Sequence, residues 1–157
     1  MIYIICGKNN QGKTAKIKSI YLKEKEGDGF ITQKIFRNSL FCGYEIIRLS
    51  TGESCVHSLK SELFPSRESP LYTRGAFSFF TEGFLFAERI IDEMMLNGTN
   101  PVFIDEIGPL ELNGKGYHNS FKKMIKSDRN IYFTVRNYYV KNVVSCFSLG
   151  KYSLIRI

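Results

Sequence analysis

The chain is poor in cysteine and histidine, and the few it has are scattered. Cys6, Cys42, Cys55 and Cys146 form no Cys-x-x-Cys pair, and His57 and His118 stand at no ligand spacing from them. That spacing argues against structural zinc. Nothing else points to export, so the four thiols read as reduced, mostly buried small apolar residues of a cytoplasmic protein, not as two disulfides. Long apolar runs are missing too, which excludes a transmembrane helix. Met1–Cys6 is apolar, but no basic region precedes it and Gly7-Lys8 follows at once, so it does not read as a secretory signal. No internal repeat and no low-complexity tract interrupts the chain.

What is present fits one domain over residues 1–157, long enough to bury a core without a staple. The net charge of +7 is unevenly spread: +5 over residues 1–37, −6 over 38–114 and +8 over 115–157. A basic surface attracts polyanions. These lysines are not interleaved with aromatics on one short patch, so a solvated face is favoured over a nucleic-acid surface.

Apolar runs bounded by glycine or proline mark buried strands at Ile2–Cys6, Pro101–Asp105, Ile131–Val135 and Tyr152–Ile157. Helical spacing predicts helices over Gly12–Glu26 and around Phe77–Met95, Tyr117–Ile125 and Val140–Phe147. Phe30–Arg37 and Phe41–Leu49 meet at Asn38-Ser39 as a hairpin, and Ser54–Ser58 adds a third antiparallel strand. Residues 59–75, with Pro65, Pro70 and Gly75, read as a mostly irregular surface segment. Strands alternating with helices predict an α/β fold with a mainly parallel sheet, carrying an antiparallel meander inserted at about 29–58, after the first helix.

Gly7-Lys8-Asn9-Asn10-Gln11-Gly12-Lys13-Thr14 matches G-x-x-x-x-G-K-[ST] in full, between an apolar strand and an amphipathic helix. Gly7 and Gly12 permit tight backbone and leave N–H groups open to phosphate oxygens. Those groups, through Ala15, form an anion nest at a helix start. Lys13 reaches the β- and γ-phosphates, and the Thr14 hydroxyl can ligate Mg²⁺. By composition the pattern arises by chance in roughly one chain per few hundred of this size, so its context decides for a nucleotide site.

The strand Pro101–Asp105 ends in the acids Asp105-Glu106. Asp105 at the end of a parallel strand can hold Mg²⁺ through its water shell. The chain is expected to leave the strand here, turning Glu106 toward the γ-phosphate as general base for an attacking water. Gly108-Pro109 then forces a sharp turn. A Glu directly after the metal-binding Asp resembles the additional-strand catalytic-glutamate class of P-loop enzymes. That resemblance implies a further strand between the loop strand and the Asp strand, ending in a polar sensor. Ile131–Val135 is the candidate strand, with Thr134 or Arg136 as sensor.

Gly7–Thr14, Gly29-Phe30-Ile31-Thr32 with Arg48, and Ile104-Asp105-Glu106-Ile107-Gly108-Pro109-Leu110-Glu111 together resemble the small nucleoside-triphosphatases first described from thermophiles, over nearly the whole chain. The resemblance implies a RecA-type three-layer α/β core and Mg²⁺-dependent hydrolysis of nucleoside triphosphates such as ATP and GTP, with loose base preference. It further implies that Lys13 and Thr14 bind phosphate and metal, Asp105 orders Mg²⁺ and Glu106 activates water. Two departures bear on base recognition. Family members continue past the last strand into a polar segment and helix where this chain stops at Ile157, and the stretch around Ser69–Phe80 lacks their small Gly-rich pattern.

Phe77, Phe79, Phe80, Phe84 and Phe86 read as core, with Tyr72 or one of them as the alternative base-stacking ring. Arg74 and Arg136 are candidate phosphate-contacting arginines, Arg136 the nearer to the expected site. Two rival functions follow from the same residues: a phosphotransferase with a small acceptor, and a nucleotide-gated nucleic-acid-binding module using the basic C-terminal third. No membrane partner is expected.

Overall fold

The computed structural model describes residues 1–63 and 70–157. Among the described residues nine strands form one sheet: β1 Ile2–Gly7, β2 Asp28–Arg37, β3 Leu40–Arg48, β4 Ser54–Lys60, β5 Tyr72–Arg74, β6 Phe77–Phe79, β7 Val102–Ile107, β8 Ile131–Arg136 and β9 Tyr152–Arg156. The helices are α1 Lys13–Glu24, α2 Thr81–Leu96, α3 Pro109–Leu112, α4 His118–Ile125 and α5 Val140–Cys146. Strand order is β5-β6-β4-β3-β2-β7-β8-β1-β9. The five strands from β2 to β9 in that order are mutually parallel, and the other four extend the sheet antiparallel.

Alternation along the parallel strands divides the core into two layers. Ile4, Cys6, Phe30, Ile104, Phe133 and Val135 face a cluster that includes Ile90, Ile91 and Met94 of α2, Phe121 and Met124 of α4 and Val143 of α5. Ile5, Ile31 and Phe103 face the other way, onto Ile17 of α1. Helices therefore cover both faces, and central strands such as β1 are apolar at consecutive positions because neither side meets water. The further strand expected between the loop strand and the Asp strand is present: β8 lies between β1 and β7.

The hairpin at Asn38-Ser39 forms as expected, with φ of 48° and 64° matching the primed turns that suit twisted strands. Two expectations are corrected. The helix predicted from Phe77 begins only at Thr81, because Phe77–Phe79 pairs with both β4 and β5. The supposedly irregular 59–75 segment instead holds the end of β4, a 3-10 turn at Ser61–Leu63 and the strand β5. Three-residue strands are too short to show a period, so their phenylalanines merged with the helical pattern downstream. Residues 64–69, which include Pro65 and Ser69, lie outside the described residues.

The joint between the meander and the parallel core is the β2–β7 contact. Gly29 lies so close to β7 that a Cβ there would stand 1.8 Å from the Phe103 carbonyl oxygen. Beside it, buried Asp28 accepts hydrogen bonds from the Gly29 and Ser50 amides and pairs with Arg48 Nε at 2.7 Å. Arg48 also pairs with Glu93 of α2, tying meander to helix layer. Gly29→Ala should therefore destabilise the fold by about 3 kcal/mol or more, near the upper end of overpacking costs. Urea unfolding monitored by circular dichroism checks this; a loss below about 1 kcal/mol would mean the strands can separate at little cost.

Candidate active site

The loop between β1 and α1 needs its second glycine for conformation: Gly12 sits at φ +87°, in open space. Gly7 adopts no such angle, so its lack of a side chain matters for space; a Cβ there would lie 3.2 Å from Gln11 Oε1. Asn10 takes φ 57°, which asparagine tolerates. The loop folds over itself through its own polar groups. The Lys8 amide donates to Gln11 Oε1 at 2.5 Å, and Lys13 Nζ donates to the Lys8 carbonyl at 2.7 Å. Lys13 and Thr14 open α1 and are half-buried, while Lys8–Gly12 and Ala15 are exposed. An ammonium and a run of peptide N–H groups thus meet at a helix start.

Asp105 is 2% exposed and accepts three hydrogen bonds from three different elements. Thr14 Oγ1 donates to Oδ2 at 2.7 Å, the Thr32 amide to Oδ2 at 3.1 Å and Thr134 Oγ1 to Oδ1 at 2.5 Å. Burial raises its pKa, and the hydrogen bonds from Thr134 and Thr14 oppose that rise. The carboxylate expected to face the phosphate loop does so.

Glu106 reaches the same side by a route that differs from the expected one. The chain does not leave the strand at Asp105; β7 runs on to Ile107. In the ladder, Ile104 pairs with Phe133 and Ile107 with Val135, so Asp105 and Glu106 together oppose Thr134 alone. This is a β-bulge, with Glu106 at φ +64°. Thr134 Oγ1 accepts the Glu106 N–H at 2.8 Å, and Tyr117 OH donates to the Asp105 and Glu106 carbonyls at 3.2 and 2.9 Å. The bulge re-aims the side chain, and its carboxylate meets Arg136 Nη2 at 3.0 Å. The β1–β8 register places Arg136 beside Gly7, where the loop starts.

The two candidate sensors therefore divide. Thr134 is wholly buried and holds Asp105 and the Glu106 backbone, whereas Arg136 contacts the Glu106 carboxylate itself. Arg74 and Arg136 share the wall of a cavity of about 550 Å³ that also touches Asn9, Asn10 and Glu106. The phenylalanines divide as well. Phe84 and Phe86 are core, while Phe77, Phe79 and Tyr72 line that cavity.

Sequence reasoning missed Tyr117 and gave Glu111 no role. Tyr117 showed only as an apolar position on a helix face. Glu111 is buried at 3% exposure and its Oε2 accepts the Gly108 N–H at 3.1 Å, closing the first turn of α3, with Pro109 in that turn. The signal was there in Gly-Pro-x-Glu, a helix-start pattern. Among the described residues no group of three or more His, Cys, Asp or Glu could hold a metal by side chains alone. The oxygen pair of Thr14 and Asp105 instead has the hard-donor character suited to an ion completed by phosphate and water. Also among them, no helix is long and apolar enough to cross a membrane.

Comparison with known proteins covers most of the chain. A model of the NTPase family matches residues 2–154. The nucleoside-triphosphatase THEP1 of Natranaerobius thermophilus is 31% identical over 134 residues, covering 84% of this chain and 73% of that protein. THEP1 of Thermotoga petrophila is 25% identical over 136 residues, covering 87% and 72%. The crystal structure of THEP1 from the hyperthermophile Aquifex aeolicus shares the fold, with a TM-score of 0.76 at 24% identity over 99% of this chain and 89% of that one.

Burial raises the Glu111 pKa from 4.5 to about 7, the hydrogen bonds it accepts offsetting part of the shift. The folded state thus favours the neutral acid. Its stabilising contribution is full below pH 4.5 and is lost as pH rises through about 7. Glu111→Gln keeps an acceptor for Gly108 and has no proton to lose. The variant should exceed the wild type in stability at pH 8 by up to about 3 kcal/mol, a gap that closes toward pH 4.5. Chemical denaturation across that range tests it; a pH-independent difference would contradict a buried, titrating Glu111.

Proposed function

This chain belongs to the NTPase family and hydrolyses nucleoside triphosphates to diphosphate and phosphate, and we propose that Glu106, aimed by the β7 bulge, drives water onto the γ-phosphorus. The observation that carries this reading is the convergence of Thr14, Asp105 and Glu106 on one side of the sheet. Lys13 and the loop N–H groups bind the β- and γ-phosphates. Glu106 accepts the proton of the attacking water as the new O–P bond forms and the bond to the bridging oxygen breaks, its electrons leaving on the diphosphate. Arg136, alongside, contributes positive charge where the γ-phosphate gathers negative charge.

Mg²⁺ is the proposed cofactor; when bound it would supply positive charge to offset that of the triphosphate. Thr14 Oγ1 and Asp105, 2.7 Å apart and both oxygen donors, are the residues to hold it, Asp105 through water. Residues 1–157 act in this reading as one functional unit. The four free cysteines fit a reducing compartment, and the proposed location is the cytoplasm.

Glu106→Gln should retain triphosphate affinity while turnover falls at least about 10²-fold. Lys13→Ala should weaken both binding and turnover. Calorimetric binding alongside phosphate release separates them. Undiminished turnover in the glutamine variant would remove Glu106 as base, and full triphosphate affinity in the alanine variant would remove the loop as the phosphate site.

A further inference from the structure

The 550 Å³ cavity extends well past the groups that hydrolysis uses, and its volume falls within the roughly 300–1,000 Å³ of small-molecule pockets. At one end stand Asn9, Asn10, Glu106 and Arg136; the rest is walled by the meander, by β5 and β6, and by the Gly108–Glu111 turn with Tyr117. Water attack needs space for one small molecule. The remainder is shaped for something larger.

Its walls have two characters. Tyr44, Tyr72, Phe77 and Phe79 give it ring faces and edges, which suit a flat ring. Ser58 gives it a polar point: the residue is 1% exposed, lines the cavity, and its hydroxyl has no hydrogen-bond partner among the described residues. Leaving a buried hydroxyl unpaired costs about 1–3 kcal/mol, so native structures seldom keep one without a use. The neighbouring His57 is held neutral by burial, its pKa lowered to about 4, and packs edge-on against Phe79 and Phe84. It adds no charge to this wall. A ring at one end and a general base at the other define the occupant: a flat heterocycle, a hydrogen-bonding edge, and a hydroxyl at some distance from the ring.

We infer that this cavity is an acceptor site for a nucleoside, whose ring lies among Tyr72, Phe77 and Phe79 with Ser58 on its edge and whose hydroxyl takes the place of water beside Glu106. The inference rests on the hydrolytic reading, since it uses the same base and the same triphosphate. The nucleoside oxygen bonds to the γ-phosphorus as the bond to the β–γ bridging oxygen breaks, its electron pair leaving on the nucleoside diphosphate. The hydroxyl proton passes to the Glu106 carboxylate. The products are a nucleoside monophosphate and a diphosphate.

The test incubates the full chain with γ-labelled triphosphate and Mg²⁺, alone and with millimolar adenosine, guanosine, cytidine or uridine, and separates labelled ester from labelled phosphate. The expected result is labelled monophosphate from at least one nucleoside, with a matching fall in free phosphate. Ser58→Ala, which removes an unpartnered group and leaves folding intact, should raise the KM for that nucleoside about five- to ten-fold with a smaller change in kcat. Phosphate release with no labelled ester from any of the four overturns the acceptor site and leaves hydrolysis standing. Nucleosides that only compete with the triphosphate also overturn it, by assigning the cavity to the triphosphate's own base. Unchanged nucleoside KM in both Ser58→Ala and Tyr72→Ala overturns the placement. No phosphate release from triphosphate alone would instead defeat the hydrolytic reading.

Discussion

A buried carboxylate that must be satisfied organises this molecule. Taking Asp105 out of water is costly, and the cost is offset only because Thr14 of α1, Thr32 of β2 and Thr134 of β8 all donate to it. Each donor belongs to a different element, so one side chain fixes the phosphate-loop helix, the first meander strand and the strand beside the loop in mutual register. The apolar layers on either side of the sheet supply the driving force for folding. Asp105 decides where the strand ends meet.

The bulge follows from the same constraint. Two residues of β7 oppose one of β8, and a non-glycine residue sits in the left-handed region, at a cost on the order of 1–3 kcal/mol. Thr134 bonds both the Asp105 carboxylate and the Glu106 N–H, and Tyr117 bonds the carbonyls of both residues. The unusual backbone is thereby held by partners on two elements, which is what persistence of a strained residue requires. Two adjacent acids that a regular strand would send to opposite faces are instead both brought to the loop. Burial and the charge of Glu106 also raise the pKa of the Tyr44 phenol, which keeps a neutral hydroxyl on the cavity wall beside Glu106.

Much of this was legible in the residues. The phosphate loop, the parallel strands and the hairpin at Asn38-Ser39 each carry a local rule: spaced glycines, apolar runs, turn residues. The order of β8 between β1 and β7 was accessible only through resemblance to a class, because strand adjacency depends on contacts distant in sequence. The β5–β6 hairpin was hidden because three-residue strands show no period. The bulge was hidden for a different reason: it is a property of the pair Asp105-Glu106 against Thr134, and no single strand's sequence records the count of residues opposite it. Tyr117 looked like any apolar helix residue, since its hydroxyl finds its partners in backbone carbonyls that leave no mark on the sequence.

The most direct test of the account is phosphate release by the intact chain from ATP, GTP, CTP and UTP, each measured with Mg²⁺ and with excess EDTA. The Mg²⁺ site proposed at Thr14 and Asp105 predicts turnover of several triphosphates with magnesium and its near-complete loss with chelator. Release that proceeds undiminished in EDTA would contradict the role given to Asp105, and with it the reason these strand ends meet.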